Sequence, residues 1–219
     1  MLKKLRKEVC QLNRRVCEEG LVRWTMGNVS GRDFERDLVV IKPSGVEFEN
    51  LTADSMVVVD LEGNVVEGEL APSVDTPTHL VIYRSRRDVG GIVHTHSNFA
   101  TAFAAVGRAI PAVLTEIGDE FGEEIPVGKY CQIGEIEIGE EVVRSIGLAK
   151  AILMQNHGVF AIGRSAREAV KAAVMVENAA KTVWIAEQLG KVIPIPPEEV
   201  ARLHRRYVEK YGQGEAVEE

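Results

Sequence analysis

The feature that most constrains this chain is an apolar run ending in two histidines, at residues 90–97. Side chains two residues apart in a strand point to the same face of a sheet, so His94 and His96 are predicted to lie side by side. Imidazole is a common ligand of zinc, and two imidazoles fixed on one strand supply half of a tetrahedral site. Without a third ligand, the pair is equally consistent with a strand end that binds no metal.

His157 is the candidate for the third ligand. Residues 151–154 and 159–162 are predicted to be two strands joined by the tight turn Asn156-His157-Gly158. A histidine at such a turn is presented to its surroundings. Three nitrogen ligands with no cysteine nearby leave one coordination position open, which is typical of a catalytic metal site. A purely structural zinc is the alternative.

Asp75 precedes a helix that is predicted to begin with Thr76 as N-cap and Pro77 at its first position. Its carboxylate either interacts with the helix N-terminus or faces the metal. The remaining histidines, His79 in the first turn of this helix and His204 near the C-terminus, are expected to be structural or surface residues.

Composition excludes several classes of function. The 219 residues are 45% hydrophobic and 27% charged, with a net charge of -7 and no basic block, which argues against nucleic acid as the main partner. No apolar run is long enough to cross a bilayer and the N-terminus does not resemble a secretory signal, so we expect a cytoplasmic protein. The three cysteines, Cys10, Cys17 and Cys131, lack metal-ligand spacing and are predicted to be reduced packing residues.

Apolar runs separated by turn residues alternate with helical patterns, which predicts a single α/β domain over residues 1–213, followed by an acidic tail at 214–219. Residues 110–136 are expected to be irregular, and Ser165 and Glu168 to form a capping box. Turns are predicted at residues 27–31 and 42–45. Helices are predicted at residues 1–19, 76–87, 97–106, 137–146, 165–189 and 197–211, and strands at 21–24, 38–41, 56–60, 64–67, 90–96, 151–154 and 159–162.

Five motifs follow one another along the chain: Gly27-Asn28-Val29-Ser30, Lys42-Pro43-Ser44-Gly45, Pro72-Ser73-Val74-Asp75-Thr76-Pro77-Thr78-His79, His94-Thr95-His96 and Asn156-His157-Gly158. Together they resemble the class II sugar-phosphate aldolase and epimerase family over nearly the whole chain. The resemblance is nearer to the L-ribulose-5-phosphate 4-epimerases than to the L-fuculose-phosphate aldolases. It implies a mixed, mainly antiparallel sheet covered by helices, Zn²⁺ bound by the three histidines, and a homotetramer with active sites between subunits.

The same resemblance implies a pocket for the phosphate of a sugar phosphate. Such turns present amide and hydroxyl donors to an anion, and Lys42 adds a positive charge. The chain departs from the family at one point, because Val74 stands where a second serine is usual, so one hydroxyl donor is missing. The implied phosphate-binding residues are Gly27, Asn28, Lys42, Ser44, Gly45, Ser73 and Val74.

The catalytic residues implied by the resemblance are Asp75, Asp119 and Tyr211, the last two acting from a neighbouring subunit, with Tyr207 as a substitute for Tyr211. The family's epimerases carry aspartate at the position of Asp75 and its fuculose-phosphate aldolases carry glutamate, which favours the epimerase branch.

The expected function is zinc-dependent epimerisation of L-ribulose 5-phosphate to D-xylulose 5-phosphate, through cleavage and re-formation of the C3–C4 bond, with a place in arabinose catabolism. The alternatives are a class II aldolase acting on a sugar phosphate such as L-fuculose 1-phosphate, and a non-enzymatic interaction module like the adducin head. The retained histidines count against the interaction module.

Overall fold

The computed structural model describes residues 1–210, which contain eight strands and seven α-helices. The strands are β1 (Asn28–Asp33), β2 (Leu38–Ile41), β3 (Val57–Val59), β4 (Val65–Glu67), β5 (Gly91–Thr95), β6 (Val127–Gly128), β7 (Ala151–Met154) and β8 (Gly158–Gly163). The helices are α1 (Lys3–Glu18), α2 (Thr76–Ser85), α3 (Asn98–Ala105), α4 (Thr115–Phe121), α5 (Glu137–Ser145), α6 (Ala166–Leu189) and α7 (Pro197–Lys210).

All eight strands form one sheet in the order β4-β3-β2-β1-β5-β8-β7-β6. Every neighbouring pair is antiparallel except β6 and β7. This is the mixed, mainly antiparallel sheet that the family resemblance implies. The central strand β5 is hydrogen-bonded to β1 on one side and β8 on the other, and the residues of these three strands are buried with the exception of half-buried Asp33.

Successive side chains of a strand point to opposite faces of the sheet, so both faces carry apolar residues, and helices cover both. On one face Val29, Val93 and Ala161 join the core of α1, α3 and α6, and on the other Ile92 and Phe160 join that of α2 and α5. The longest helix, α6, packs an alanine-rich side against β5 and β8. Within residues 1–210, no helix is both long and apolar enough to cross a membrane.

The expectation of a strand at residues 21–24 followed by a turn at 27–31 is wrong. Residues 21–24 form no regular element, and β1 begins at Asn28. The small polar residues of this segment resemble a turn in sequence, but Asn28 and Ser30 lie in a central strand because their side chains find hydrogen-bond partners on or just before α2.

The expectation that residues 110–136 are irregular is also wrong, since they contain α4 and β6. Helix α4 buries Ile117 and Phe121 and packs against α7. Its buried Glu120 carboxylate is paired with Lys150 and Lys171 at 3.2 and 2.7 Å. Because these partners are distant in sequence, the local pattern does not reveal the helix.

The other predicted elements are confirmed within two residues, with two differences in capping. Asp75 and not Thr76 is the N-cap residue of α2. At α6, the Ser165 hydroxyl accepts from the Glu168 N–H, but the Glu168 carboxylate accepts from the N–H of Arg164, so the capping box is incomplete. The three cysteines are free, as expected. Tyr211 and the predicted tail lie outside the described residues.

Candidate active site

The three predicted metal ligands come together at one edge of the sheet. His94 lies near the end of β5, His96 follows that strand, and His157 lies in the β7–β8 turn. Pairing of β5 with β8 brings the turn next to the strand end, because Thr95 is opposite Val159. One ring nitrogen from each histidine lies within 4.8 Å of the others.

Two backbone features make this approach possible. Gly27 has a φ of 84°, and a Cβ there would lie 2.8 Å from the carbonyl oxygen of His94. A Cβ at Gly158 would lie 2.4 Å from the carbonyl oxygen of Thr95. Larger residues at these two positions would push β1 and the His157 turn away from β5.

The surroundings of the imidazoles leave nitrogen lone pairs available for a cation. His94 Nδ1 lies 3.0 Å from the carbonyl oxygen of Val159, so this nitrogen carries the proton and Nε2 is free to bind. His94 Nε2 is 3.0 Å from His96 Nε2. Two nitrogens that share a tetrahedral cation at about 2.1 Å lie roughly 3.4 Å apart, so a small shift of either ring would fit a divalent metal.

Burial, together with the neighbouring His94, lowers the pKa of His96 to about 4, with Asp75 opposing the shift. Burial likewise lowers the pKa of His157 to about 4, together with His94 and His96. Both rings are therefore neutral at neutral pH, which is the form that binds metal. The residues present fit a divalent cation held by His94, His96 and His157.

Asp75 lies beside these histidines and makes no side-chain bond to the N-terminus of α2. The side-chain amide of Asn28 donates to its Oδ2 at 2.6 Å. Burial acts to raise the pKa of Asp75, but His94, His79 and the Asn28 amide together hold it below the ordinary value. The site thus contains an ionised, oriented carboxylate, and its orientation towards a metal stays a prediction.

The loops that carry the predicted phosphate-binding residues are joined by an isolated bridge between Pro43 and Pro72. The Ser73 N–H donates to the carbonyl of Lys42 at 3.0 Å, and the Ser73 hydroxyl accepts from the Asn28 amide at 3.1 Å. These bonds bring Asn28, Lys42, Ser73 and Asp75 into one cluster. Ser44, Gly45 and Val74 are exposed at its rim.

Lys42 is a buried cation in this cluster. Its Nζ donates to the carbonyls of Thr25 and Pro43 at 3.2 and 3.4 Å and lies 4.9 Å from the centre of the Phe48 ring. Burial lowers the pKa of Lys42 to about 8, with Asp75 opposing the shift. The ammonium group is still mostly charged at pH 7, and neither carbonyl neutralises it.

The remaining predicted catalytic residues lie on other elements. Asp119 lies on α4, where its carbonyl accepts from His204 Nδ1 at 2.8 Å and its carboxylate lies 3.4 Å from Arg206. Tyr207 lies on α7 and donates to Glu120 at 2.8 Å. These helices pack against each other, away from the strand ends and loops that carry the histidines. A role for Asp119 in the active site of a neighbouring subunit stays a prediction.

One group next to the site has no role in the sequence interpretation. His79 is fully buried and interacts electrostatically with Asp75. The sequence does contain a signal for this residue. His79 follows Asp75 by four residues, which places both side chains on one side of a helix.

The family model of the class II aldolase and adducin N-terminal domain matches residues 7–184. The match covers most of the chain, and the chain belongs to this family. The histidine cluster and the loops beside it all lie within the matched residues.

Solved structures agree with this result. An L-fuculose 1-phosphate aldolase is 30% identical, with 94% of this chain and 96% of that chain covered and a TM-score of 0.90. The L-fuculose-1-phosphate aldolase of Thermus thermophilus is 25% identical, with 86% and 98% covered and a TM-score of 0.75. That of Glaciozyma antarctica, at 23% identity, 93% and 81% coverage and a TM-score of 0.80, shows the fold alone. These matches support the family but do not confirm the nearer resemblance to the epimerases.

Proposed function

We propose that this protein is a metal-dependent aldolase that cleaves a carbon–carbon bond of a phosphorylated ketose and releases the two fragments. The observation that carries the proposal is the cluster of three imidazoles beside the ionised Asp75 carboxylate. Similarity to the 30% identical L-fuculose 1-phosphate aldolase supports the same class of substrate. An interaction surface like the adducin head has no need for such a cluster.

The residues of this chain have distinct roles in the proposed reaction. His94, His96 and His157 would hold the cation, which when bound would supply a Lewis acid for the negative charge on the substrate's carbonyl oxygen. In aldol cleavage a substrate hydroxyl loses its proton as the carbon–carbon bond breaks, and the carbanion fragment gains one. Asp75 takes up or returns this proton, and Asn28 orients the Asp75 carboxylate. We propose Zn²⁺ as the cation because imidazole ligands suit it.

Phosphate binding is assigned to Lys42, Ser44 and Ser73, with the backbone of Gly27, Gly45 and Val74 lining the pocket. The Asn28 amide donates to Ser73 and Asp75, so its part in phosphate binding is to orient the Ser73 hydroxyl. The buried ammonium of Lys42 favours an anionic group. Hydrogen bonds to a charged group contribute on the order of 2 kcal/mol each, so several such donors discriminate strongly for a phosphorylated sugar.

Ser73→Ala is expected to raise KM for a phosphorylated substrate by roughly tenfold or more, while KM for the same sugar without phosphate changes little. Both constants are measured on the metal-loaded protein with L-fuculose 1-phosphate and L-fuculose. Ser85→Ala, at the exposed C-terminal end of α2, is the matched control. Equal changes for the two substrates would remove Ser73 from phosphate recognition.

A second candidate is the 4-epimerase, favoured by aspartate at position 75. Inverting C4 requires the aldehyde fragment to turn over and be attacked on its other face, so a proton donor is needed on each side. Asp119 and Tyr211, or Tyr207 in its place, are the proposed donors from the neighbouring subunit of a homotetramer.

The product distribution distinguishes the two candidates. The metal-loaded protein receives L-fuculose 1-phosphate and, separately, L-ribulose 5-phosphate, and fragments and D-xylulose 5-phosphate are quantified. An aldolase forms stoichiometric fragments, whereas an epimerase converts L-ribulose 5-phosphate with little glycolaldehyde phosphate released. If the protein is an epimerase, the Asp119→Asn variant should lose epimerisation while it retains metal and some bond cleavage. Failure to consume either substrate contradicts the family-based choice of sugar phosphate.

A further inference from the structure

Helix α3 is attached at both ends to candidate metal ligands. Its N-cap residue, Ser97, directly follows His96 in the chain. In the last turn of the helix, the carbonyl of Ala104 accepts from the N–H of Asn156 at 3.2 Å, and Asn156 directly precedes His157. The third ligand lies within β5 and is placed by the sheet itself. The position of α3 therefore bears on two of the three ligands.

The two ligands attached to α3 lie outside the strands and depend on other support. Strand β5 ends at Thr95, one residue before His96, and His157 lies in the β7–β8 turn. Asn156 in that turn has a φ of 58°, a left-handed conformation that persists where neighbouring contacts hold it. Its bond to Ala104 is one of these contacts.

The N-terminus of α3 is capped from a distant helix. An N-cap serine ordinarily accepts a hydrogen bond from the second or third N–H of its helix, but the Ser97 side chain makes no such bond within the described residues. The carboxylate of Glu177, on α6, takes its place. Its Oε1 accepts from the N–H of Phe99 and its Oε2 from the N–H of Ala100, each at 2.9 Å. A carboxylate at this end of the helix also interacts favourably with the helix dipole.

We infer that Glu177 is a positioning residue for the metal centre: by capping α3 it fixes the helix that continues from His96 and supports the His157 turn. Its two carboxylate oxygens are bonded to backbone N–H groups, so Glu177 acts on the cation through α3. The inference rests on the proposed function, because it gives a role to a residue that supports the proposed metal ligands.

Glu177→Gln is expected to raise the dissociation constant for Zn²⁺ by roughly tenfold or more, the effect typical of losing a group that orients metal ligands. The variant keeps the size of the side chain but replaces one acceptor oxygen with an NH₂ group, which then faces an N–H donor. The constant is measured by competition with a chelator of known affinity. Circular dichroism of the same sample checks the fold.

Glu187→Gln is the matched control. Glu187 lies on the same helix and pairs with Arg108, which follows α3 in the chain, so it also connects α6 to this region but does not cap α3. This variant should bind Zn²⁺ within about twofold of wild type. Loss of stability alone would lower Tm in either variant and leave the dissociation constant for Zn²⁺ unchanged.

Amide hydrogen exchange of the metal-free proteins, followed by mass spectrometry, tests the positioning without the cation. In Glu177→Gln, exchange should be faster at residues 97–101 and 155–157, whereas β5 and β8 should exchange as in wild type. Glu187→Gln should match wild type in both segments. Wild-type exchange of these segments in Glu177→Gln would overturn the inference.

The metal measurements can also contradict it. An unchanged dissociation constant for Zn²⁺ in Glu177→Gln would mean that α3 places the ligands without its cap, and an equal rise in Glu187→Gln would mean that any loosening of α6 is sufficient. If wild type binds Zn²⁺ but cleaves no sugar phosphate, only the proposed reaction fails. If wild type binds no Zn²⁺, the proposed function fails, and the inferred role of Glu177 at a metal centre fails with it.

Discussion

His96→Ala is expected to lower metal affinity by several orders of magnitude and to abolish cleavage of the sugar phosphate. The variant removes one of three nitrogen ligands, and the other two, His94 and His157, cannot replace it from their fixed positions on β5 and the β7–β8 turn. Because His96 is only partly buried, the fold should survive. Metal content after dialysis and circular dichroism of the same sample separate loss of the ligand from loss of the fold.

His204→Ala is the matched control for this substitution. His204 lies on α7, where its Nδ1 donates to the carbonyl of Asp119, and it takes no part in the histidine cluster. The variant should therefore keep its metal. Full metal occupancy and full activity in His96→Ala would mean that the cation, if any, is bound elsewhere.

Asp75→Asn is expected to retain metal and to lower kcat by about a thousandfold. The substitution keeps the size of the side chain but removes the group that exchanges a proton with the substrate, and general acid–base groups contribute typically 10²- to 10⁴-fold. Asn28 and Ser73, which bond to the Asp75 region, remain in place. Rapid-quench measurement of a single turnover isolates the chemical step from product release.

Asp75→Glu is the companion variant, since glutamate occupies this position in the fuculose-phosphate aldolases that the chain resembles. It should recover part of the lost kcat, because the carboxylate is restored with one extra methylene. If Asp75→Asn instead loses its metal and Asp75→Glu regains it, Asp75 acts as a ligand and not as a proton carrier.

The histidines of the cluster could be identified from local sequence because the features that present each of them are local. The spacing of His94 and His96 fixes a common direction in β5, and the Asn156-His157-Gly158 turn presents its ring at a hairpin end. What the sequence could not show is that β8 is the neighbour of β5 in the sheet. That pairing, which brings His157 to the other two rings, depends on the whole topology.

Strand β1 could not be predicted for the opposite reason. Its residues Asn28 and Ser30 are typical of turns, and they occupy a central strand only because Asp75 and His79 supply hydrogen bonds from 47 and 49 residues away. Helix α4 was missed in the same way, since its buried Glu120 depends on lysines 30 and 51 residues further along the chain. Long-range polar contacts override local preference at these points.

The most direct test of the central claim, one catalytic cation held by three histidines, is a metal titration of the chelator-treated wild-type protein. Zn²⁺ is added in steps, and the initial rate is followed with whichever of L-fuculose 1-phosphate and L-ribulose 5-phosphate the enzyme consumes. The rate should rise linearly from near zero and stop at one ion per chain. A chelated, metal-free protein that retains the full rate would contradict the account.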